Sequence, residues 1–231
     1  MSSDYGYIPQ AIHPELADAR SRFVARTYMH LLGAILAFTG LEIFLFQSGL
    51  AEPMAKAMLG VNWLFVLGGF VVVSWVASRV AHSVRSGPAQ YLALAAYVVA
   101  EAIIFVPLLY IASVVAPGVI QSAAAVTLFG FAGLTAVVMI TRKDFSFLRS
   151  ILMWGGVIAL VLIVAGAIFG FQLGTYFSVA MVALAGASIL YDTSNVIHHF
   201  PEDRYVAAAL QLFASVALMF WYVLRLFMSR R

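Results

Sequence analysis

Three carboxyl side chains stand inside long apolar runs of the chain: Glu42, Glu101 and Asp192. An ionisable group in hydrocarbon is costly, and where one occurs it usually serves a site. No lysine or arginine lies deep in any of those runs. Acids without an intramembrane base suit protons or cations, not anions. Glu101 lies six residues before Pro107 in the same run. A proline inside a helix frees a backbone carbonyl, and carbonyls beside a carboxylate make an oxygen-rich cation site. The competing role for Glu101 is a protonated side chain bonded to a neighbouring helix. Glu42 lies nearer the end of its run, where a snorkelling interfacial acid is the simpler expectation.

Asp192 sits in the stretch SILYDTSNVIHHF. Ser188, Asp192 and Asn195 recur at helical spacing and share one face. A polar face on an apolar helix points at protein or water and away from lipid. In the next run Gln211, Ser215 and Tyr222 share a face by the same kind of spacing. Two polar faces on consecutive helices are expected to meet and to line a cavity. His30, His82, His198 and His199 gather by topology at one side of the membrane. With Asp192 they form a candidate hydrolase metal site, but no H-E-x-x-H is present. Interfacial histidines are the plainer reading.

Of the 231 residues 64% are hydrophobic and 10% are charged, whereas soluble domains run at roughly 45–50% and about 25%. The chain is therefore read as a membrane protein. Thirteen basic against ten acidic residues leave a charge of +3, too little for a nucleic-acid-binding surface. Cysteine is absent, which excludes disulfides and thiolate chemistry. Seven apolar runs are long enough to span a bilayer, which takes about 20 residues: roughly 25–47, 59–79, 89–115, 120–140, 148–170, 173–195 and 205–228. Residues 1–22 are left as a polar tail and 23–231 as one seven-helix transmembrane domain.

Arg20, Arg22 and Arg26 precede the first run; Arg79, Arg85, Arg142, Lys143, Arg149 and Arg204 follow alternate runs. Basic loops stay cytoplasmic, so the N-terminus is expected inside. The last run is read as a full span against the bias of Arg230 and Arg231. Asp144 or Ser146 is expected to cap the fifth span, and Pro201, Glu202 and Asp203 to open the seventh. Pro107 should kink the third. Glycines scattered through the spans are expected to let helices pack closely. The two lysines, Lys56 and Lys143, lie in loops, which excludes a retinal Schiff base, and no nucleotide-binding motif is present.

The segments YDTSNVIHHF, TRKDFSFL and EAIIFVPLLYIAS resemble the Bax inhibitor-1 family, also called the transmembrane Bax inhibitor motif family, in its bacterial branch. The resemblance extends over essentially the whole chain. It implies an all-α fold of seven transmembrane helices, with six helices in two layers around a central C-terminal helix. It also implies a pH-sensitive calcium leak, closed by a sixth-helix aspartate paired with a seventh-helix aspartate. Asp192 matches the first of these. The second position falls at about Ser215, so the usual pair of carboxylates sharing a proton is missing here. Asp192 then has Glu101, Ser215, His198 or His199 as alternative partners, and Arg79 as a basic one.

The expected function is therefore a non-enzymatic, pH-sensitive cation leak, with calcium as the ion. Asp192, Ser215 and Arg79 would form the gate, and Glu101, Glu42 and Asn195 the ion pathway. Neither a cofactor nor a resident metal is expected. The alternative is a non-conducting protein that modulates a membrane protease or cell-death and stress partners through its polar tail. The bilayer expected is a bacterial inner membrane.

Overall fold

The computed structural model describes residues 14–83 and 87–229. Among these the chain is all helix and without strands: α1 (Pro14–Gln47), α2 (Ala51–Leu59), α3 (Trp63–Ser83), α4 (Gly87–Val115), α5 (Val119–Thr141), α6 (Leu148–Phe169), α7 (Gly174–His198) and α8 (Tyr205–Ser229). Seven of them, α1 from Asp18 onward and α3 to α8, are long and apolar enough to cross a membrane. All seven expected runs thus became helices. The short loops between them force antiparallel neighbours. One end of the bundle holds Asp144, Phe200 and the start of α1; the other holds Gly118 and Gly170.

Two elements differ from expectation. The polar tail expected over residues 1–22 is already helix from Pro14 onward, continuous with the first span; residues 1–13 lie outside the described residues. Between the first two spans stands α2, nine residues with an exposed Lys56–Glu52 pair one turn apart at 2.5 Å. It is too short for an apolar-run criterion to detect. Its Ala51 and Ala55 pack on Val106 of α4.

The C-terminal helix is the enclosed one. It touches α1, α3, α4, α5 and α7, and Val206, Ala207, Ala208, Ala209 and Leu210 bury successive sides of it. A helix apolar all round is a buried helix. Towards the Phe200 end it packs with Phe23, Leu31, Leu94 and Val98. Towards the Gly170 end it packs with Phe105, Leu109, Ala185 and Ile189. There Trp221 meets Phe105 edge-on at 5.0 Å and stacks with Trp63 at 6.2 Å. Such pairs add roughly 0.5–1.5 kcal/mol each beyond the area they bury.

The expected caps are not formed. Phe147 precedes α6 without a side-chain cap. Asp144 accepts the Ser146 amide at 2.8 Å instead, a turn within the α5–α6 loop. Pro201, Glu202 and Asp203 form the turn before α8, which starts only at Tyr205. The expected packing role of glycine holds at Gly155, where an added Cβ would come within 2.7 Å of Leu184, and at Gly166 and Gly186. At Gly33, Gly40, Gly68, Gly69, Gly133 and Gly156 an added Cβ would meet nothing within 4 Å.

Candidate functional site

Asp192 lies in α7 about one and a half turns before its end and is 4% exposed. Successive residues of a helix point about 100° apart. Three successive polar residues here therefore reach three different elements. Asp192 faces α8. Thr193 faces α1 and accepts the Tyr28 hydroxyl at 3.4 Å. Ser194 faces the α5–α6 loop, accepts the Phe145 amide at 2.9 Å and donates to Asp144 at 3.4 Å. The D-T-S core of the motif is a three-way tie.

On α8, Gln211 and Ser215 stand one turn apart on one face. The Gln211 amide donates to Asp192 Oδ1 and the Ser215 hydroxyl to Oδ2, both at 2.5 Å. The expected meeting of the two polar faces is thus made by Asp192, Gln211 and Ser215. Tyr222 is buried on α8 but reaches Phe177, in an edge-on contact at 5.8 Å. Ser188 turns back to the Leu184 carbonyl. Asn195, half-buried, accepts the His199 and Phe200 amides on its backbone carbonyl.

The chemistry open to this cluster follows from its donors. An ionised Asp192 accepts on both oxygens. A protonated one donates to the Ser215 oxygen, whose own hydrogen rotates away. Both protonation states can be hydrogen-bonded without moving a helix. For calcium the cluster is sparse: one carboxylate, one hydroxyl and one amide oxygen fall short of the 6–8 oxygens the ion takes.

A cavity of about 1060 Å³ extends from mid-helix towards the Gly170 end; Glu101, Tyr97, Ser215, Trp221, Tyr222 and Arg225 are among its walls. Glu101 is 5% exposed, with Tyr97 one turn earlier as its polar neighbour. The oxygen-rich site expected at Pro107 is not assembled. α4 runs on through Pro107, and the carbonyl it frees is that of Ile103. The Ile103 side chain is outward-facing and 44% exposed, so that side of the helix is not the Glu101 side. Asp192 and Glu101 do not pair; both Asp192 oxygens are taken by α8.

Three further expectations need correction. Glu42 is no snorkelling acid: it is 7% exposed, and neither carboxylate oxygen has a hydrogen-bond partner. It is also absent from the cavity lining. Arg79 is no partner of Asp192, because it lies exposed on α3 over the Trp75 ring, one turn back, at 5.5 Å. None of the four histidines reaches Asp192. His30 bonds Tyr91, His82 and His198 bond carbonyls one turn back, and His199 lies 3.5 Å from Asp144. Among the described residues no three His, Asp or Glu side chains converge as a metal would require.

One structural contact beside the site escaped the sequence. Arg20 donates from Nε to the Ile197 carbonyl at 2.8 Å and from Nη1 to the Phe200 carbonyl at 2.6 Å, closing the carbonyl end of α7. Nothing in local spacing links residues 177 and 180 positions apart. Outside the spans, the Ser146 amide above all, aided by His199, holds the Asp144 carboxyl below the usual carboxylate range.

A family model described as "Inhibitor of apoptosis-promoting Bax1" matches residues 20–231. An uncharacterized protein of Pseudomonas aeruginosa is 38% identical over 112 residues, 47% of this chain and 49% of the relative. The "Modulator of FtsH protease YccA" of Escherichia coli is 36% identical over 87 residues, 37% of this chain and 39% of the relative. An "Uncharacterized membrane protein" of Vibrio cholerae is 30% identical over 111 residues, 45% and 47% of the two chains. The chain spans half or less of the length of each of these relatives.

Proposed function

The chain belongs to the Bax inhibitor-1 family, and from that premise we propose that this multi-pass membrane protein is a proton-responsive cation pathway of a bacterial inner membrane. Calcium is the ion to test first. The observation that supports the reading is the double duty of Ser215. Its hydroxyl holds Asp192, and the same residue lines the cavity that Glu101 borders. Asp192, Gln211 and Ser215 act as the closure between that cavity and the Phe200 end. A proton on Asp192 reverses the donor direction at Ser215 and exchanges two charge-assisted hydrogen bonds for neutral ones, about half as strong, which weakens the closure. Any calcium that passes keeps part of its water, because the cluster supplies too few oxygens to replace it. No catalytic residue and no cofactor are assigned.

The test is calcium flux into liposomes holding the purified protein, stepping pH from about 6 to about 8. Flux that varies with pH in the native protein and loses that variation in Asp192→Asn supports the reading. Flux no greater than in empty liposomes overturns it.

A second reading rests on the relative named as a modulator of FtsH protease. In it, the protein binds a membrane protease and slows its turnover without conducting ions. Its test is co-purification with FtsH, together with the half-life of an FtsH substrate, with and without residues 1–14. Capture lost on that deletion, with flux unaltered, places partner binding in the tail. Absence of capture by the full chain ends this reading.

A further inference from the structure

A second cavity lies outside the site already described, as a groove of about 730 Å³ between α1 and α4. Gly33, Ala37 and Gly40 form one side; Leu94, Ala95 and Val98 form the other. An added Cβ at Gly33 or Gly40 meets nothing within 4 Å, so the small residues there serve no contact within the chain. In a bilayer such a space is filled by a lipid chain or by another helix.

Its length and its end distinguish the two. The lining runs on α1 from Met29 to Leu41, twelve helical steps or about 18 Å along the axis. One leaflet supplies about 15 Å of hydrocarbon, so the groove takes a single acyl chain along its length. At the Phe200 end it closes on a polar cluster drawn from three helices. His30 Nε2 lies 3.0 Å from the Tyr91 hydroxyl, and that hydroxyl lies 3.3 Å from the Tyr205 hydroxyl. The Arg26 guanidinium stands 5.7 Å from the Tyr205 ring centre. Arg26 is exposed, and among the described residues no carboxylate pairs with it.

We infer that this groove seats one acyl chain of an anionic phospholipid, with its phosphate held by Arg26 and Tyr205. Phosphate oxygens accept only. His30 Nδ1 donates to the Arg26 carbonyl at 2.7 Å, so Nε2 of the neutral ring accepts the Tyr91 hydrogen, and the donors left to the cluster are the Arg26 guanidinium and the Tyr205 hydroxyl. Basic pockets between transmembrane helices suit anionic headgroups. An ammonium headgroup would face Arg26 with no acid in the cluster to receive it.

The test uses the full chain in nanodiscs of equal phosphatidylglycerol and phosphatidylethanolamine, transferred to mild detergent, with retained lipids counted by native mass spectrometry. The native protein should keep one phosphatidylglycerol in preference. Arg26→Gln should lower that preference about fivefold, roughly what one cation near a membrane surface is worth; Arg26→Lys should restore most of it. Ala37→Leu, which fills the groove, should remove the retained lipid of either kind. Arg79→Gln, on an exposed face of α3, should change nothing. Thermal unfolding of each variant in the same detergent separates a lost site from a lost fold. Equal retention of the two lipids by the native protein, or retention that survives Ala37→Leu in a folded protein, overturns the inference. So does Ala37→Leu releasing a co-purified membrane protein while the lipid stays, which would make the groove a helix-docking seam.

Discussion

Ser215 on the central helix donates its hydroxyl to Asp192 on the neighbouring helix at 2.5 Å. In this chain a serine stands where the family resemblance leads one to expect a second carboxylate. An aspartate at 215 would share a proton with Asp192, and the two would titrate as a pair. A serine answers the protonation of Asp192 only by rotating its hydrogen. Ser215→Asp is therefore expected to make any calcium flux depend more steeply on pH. Flux measured in the same liposomes, with a profile identical to that of the native protein, would remove the coupling argument.

Ser215→Ala deletes one of two donors to a buried carboxylate. A lost partner of this kind costs about 1–3 kcal/mol. Unfolding in detergent should show that loss, and Ser215→Thr, which keeps the hydroxyl, should recover much of it. Asp192→Asn keeps shape and hydrogen-bonding capacity, and should shift stability by no more than about 1 kcal/mol while removing the proton from the cluster.

Asp144, which accepts the Ser146 amide and the Ser194 hydroxyl and so clamps the α5–α6 loop to α7, should do so with a definite pH dependence. Its folded carboxyl titrates below the ordinary value, so the unfolded loop binds more protons than the folded one as pH falls. The clamp is complete above the unfolded pKa near 4, and weakens as pH drops through the lower folded value. Hydrogen exchange at the Phe145 amide, corrected for its intrinsic rate, should rise below about pH 4 and should lose that step in Asp144→Asn. A flat profile down to pH 3 would sink the assignment.

Arg20→Gln removes a charged donor from two carbonyls at the end of α7. Charge-assisted bonds are worth about 1.5–3 kcal/mol when buried. The Arg20 side chain is only partly buried, so about 1 kcal/mol is the expected loss. Thermal unfolding should fall by a few degrees, with the extra hydrogen exchange confined to residues 197–200.

Gly155→Ala and Gly156→Ala form a matched pair. At Gly155 the new methyl meets the tip of Leu184, which must shift, whereas at Gly156 it meets open space. The second should stabilise by roughly 0.5–1 kcal/mol, the gain of Ala over Gly within a helix, and the first should gain less, because Leu184 has to move. Equal melting temperatures for the two would mean that α6 gives way more easily than its packing on α7 suggests.

The spans were legible because membrane burial demands about 20 apolar residues in a row. That demand is local and one-dimensional. Asp192, Gln211 and Ser215 were legible as well, since polar residues at helical spacing on consecutive helices have few places to go. Thr193 and Ser194 were not, because their partners, Tyr28 and Asp144, are set by how distant helices meet. Glu42 was misread for the same reason: nearness to a helix end gives depth but not direction. Arg79 failed on facing, since its guanidinium lies over Trp75 on the outer side of α3. The short α2 was hidden by its length.

The three-way tie at Asp192, Thr193 and Ser194 restricts how the protein can move. Bonds to α8, to α1 and to the α5–α6 loop leave α7 at three different azimuths. Turning the helix about its own axis would tear all three together. The Phe200 end of α7 is thereby fixed in rotation by polar bonds, whereas its other end, which Gly174 begins at a positive φ of 64°, is held by apolar packing of Phe177 and Met181 on Tyr222.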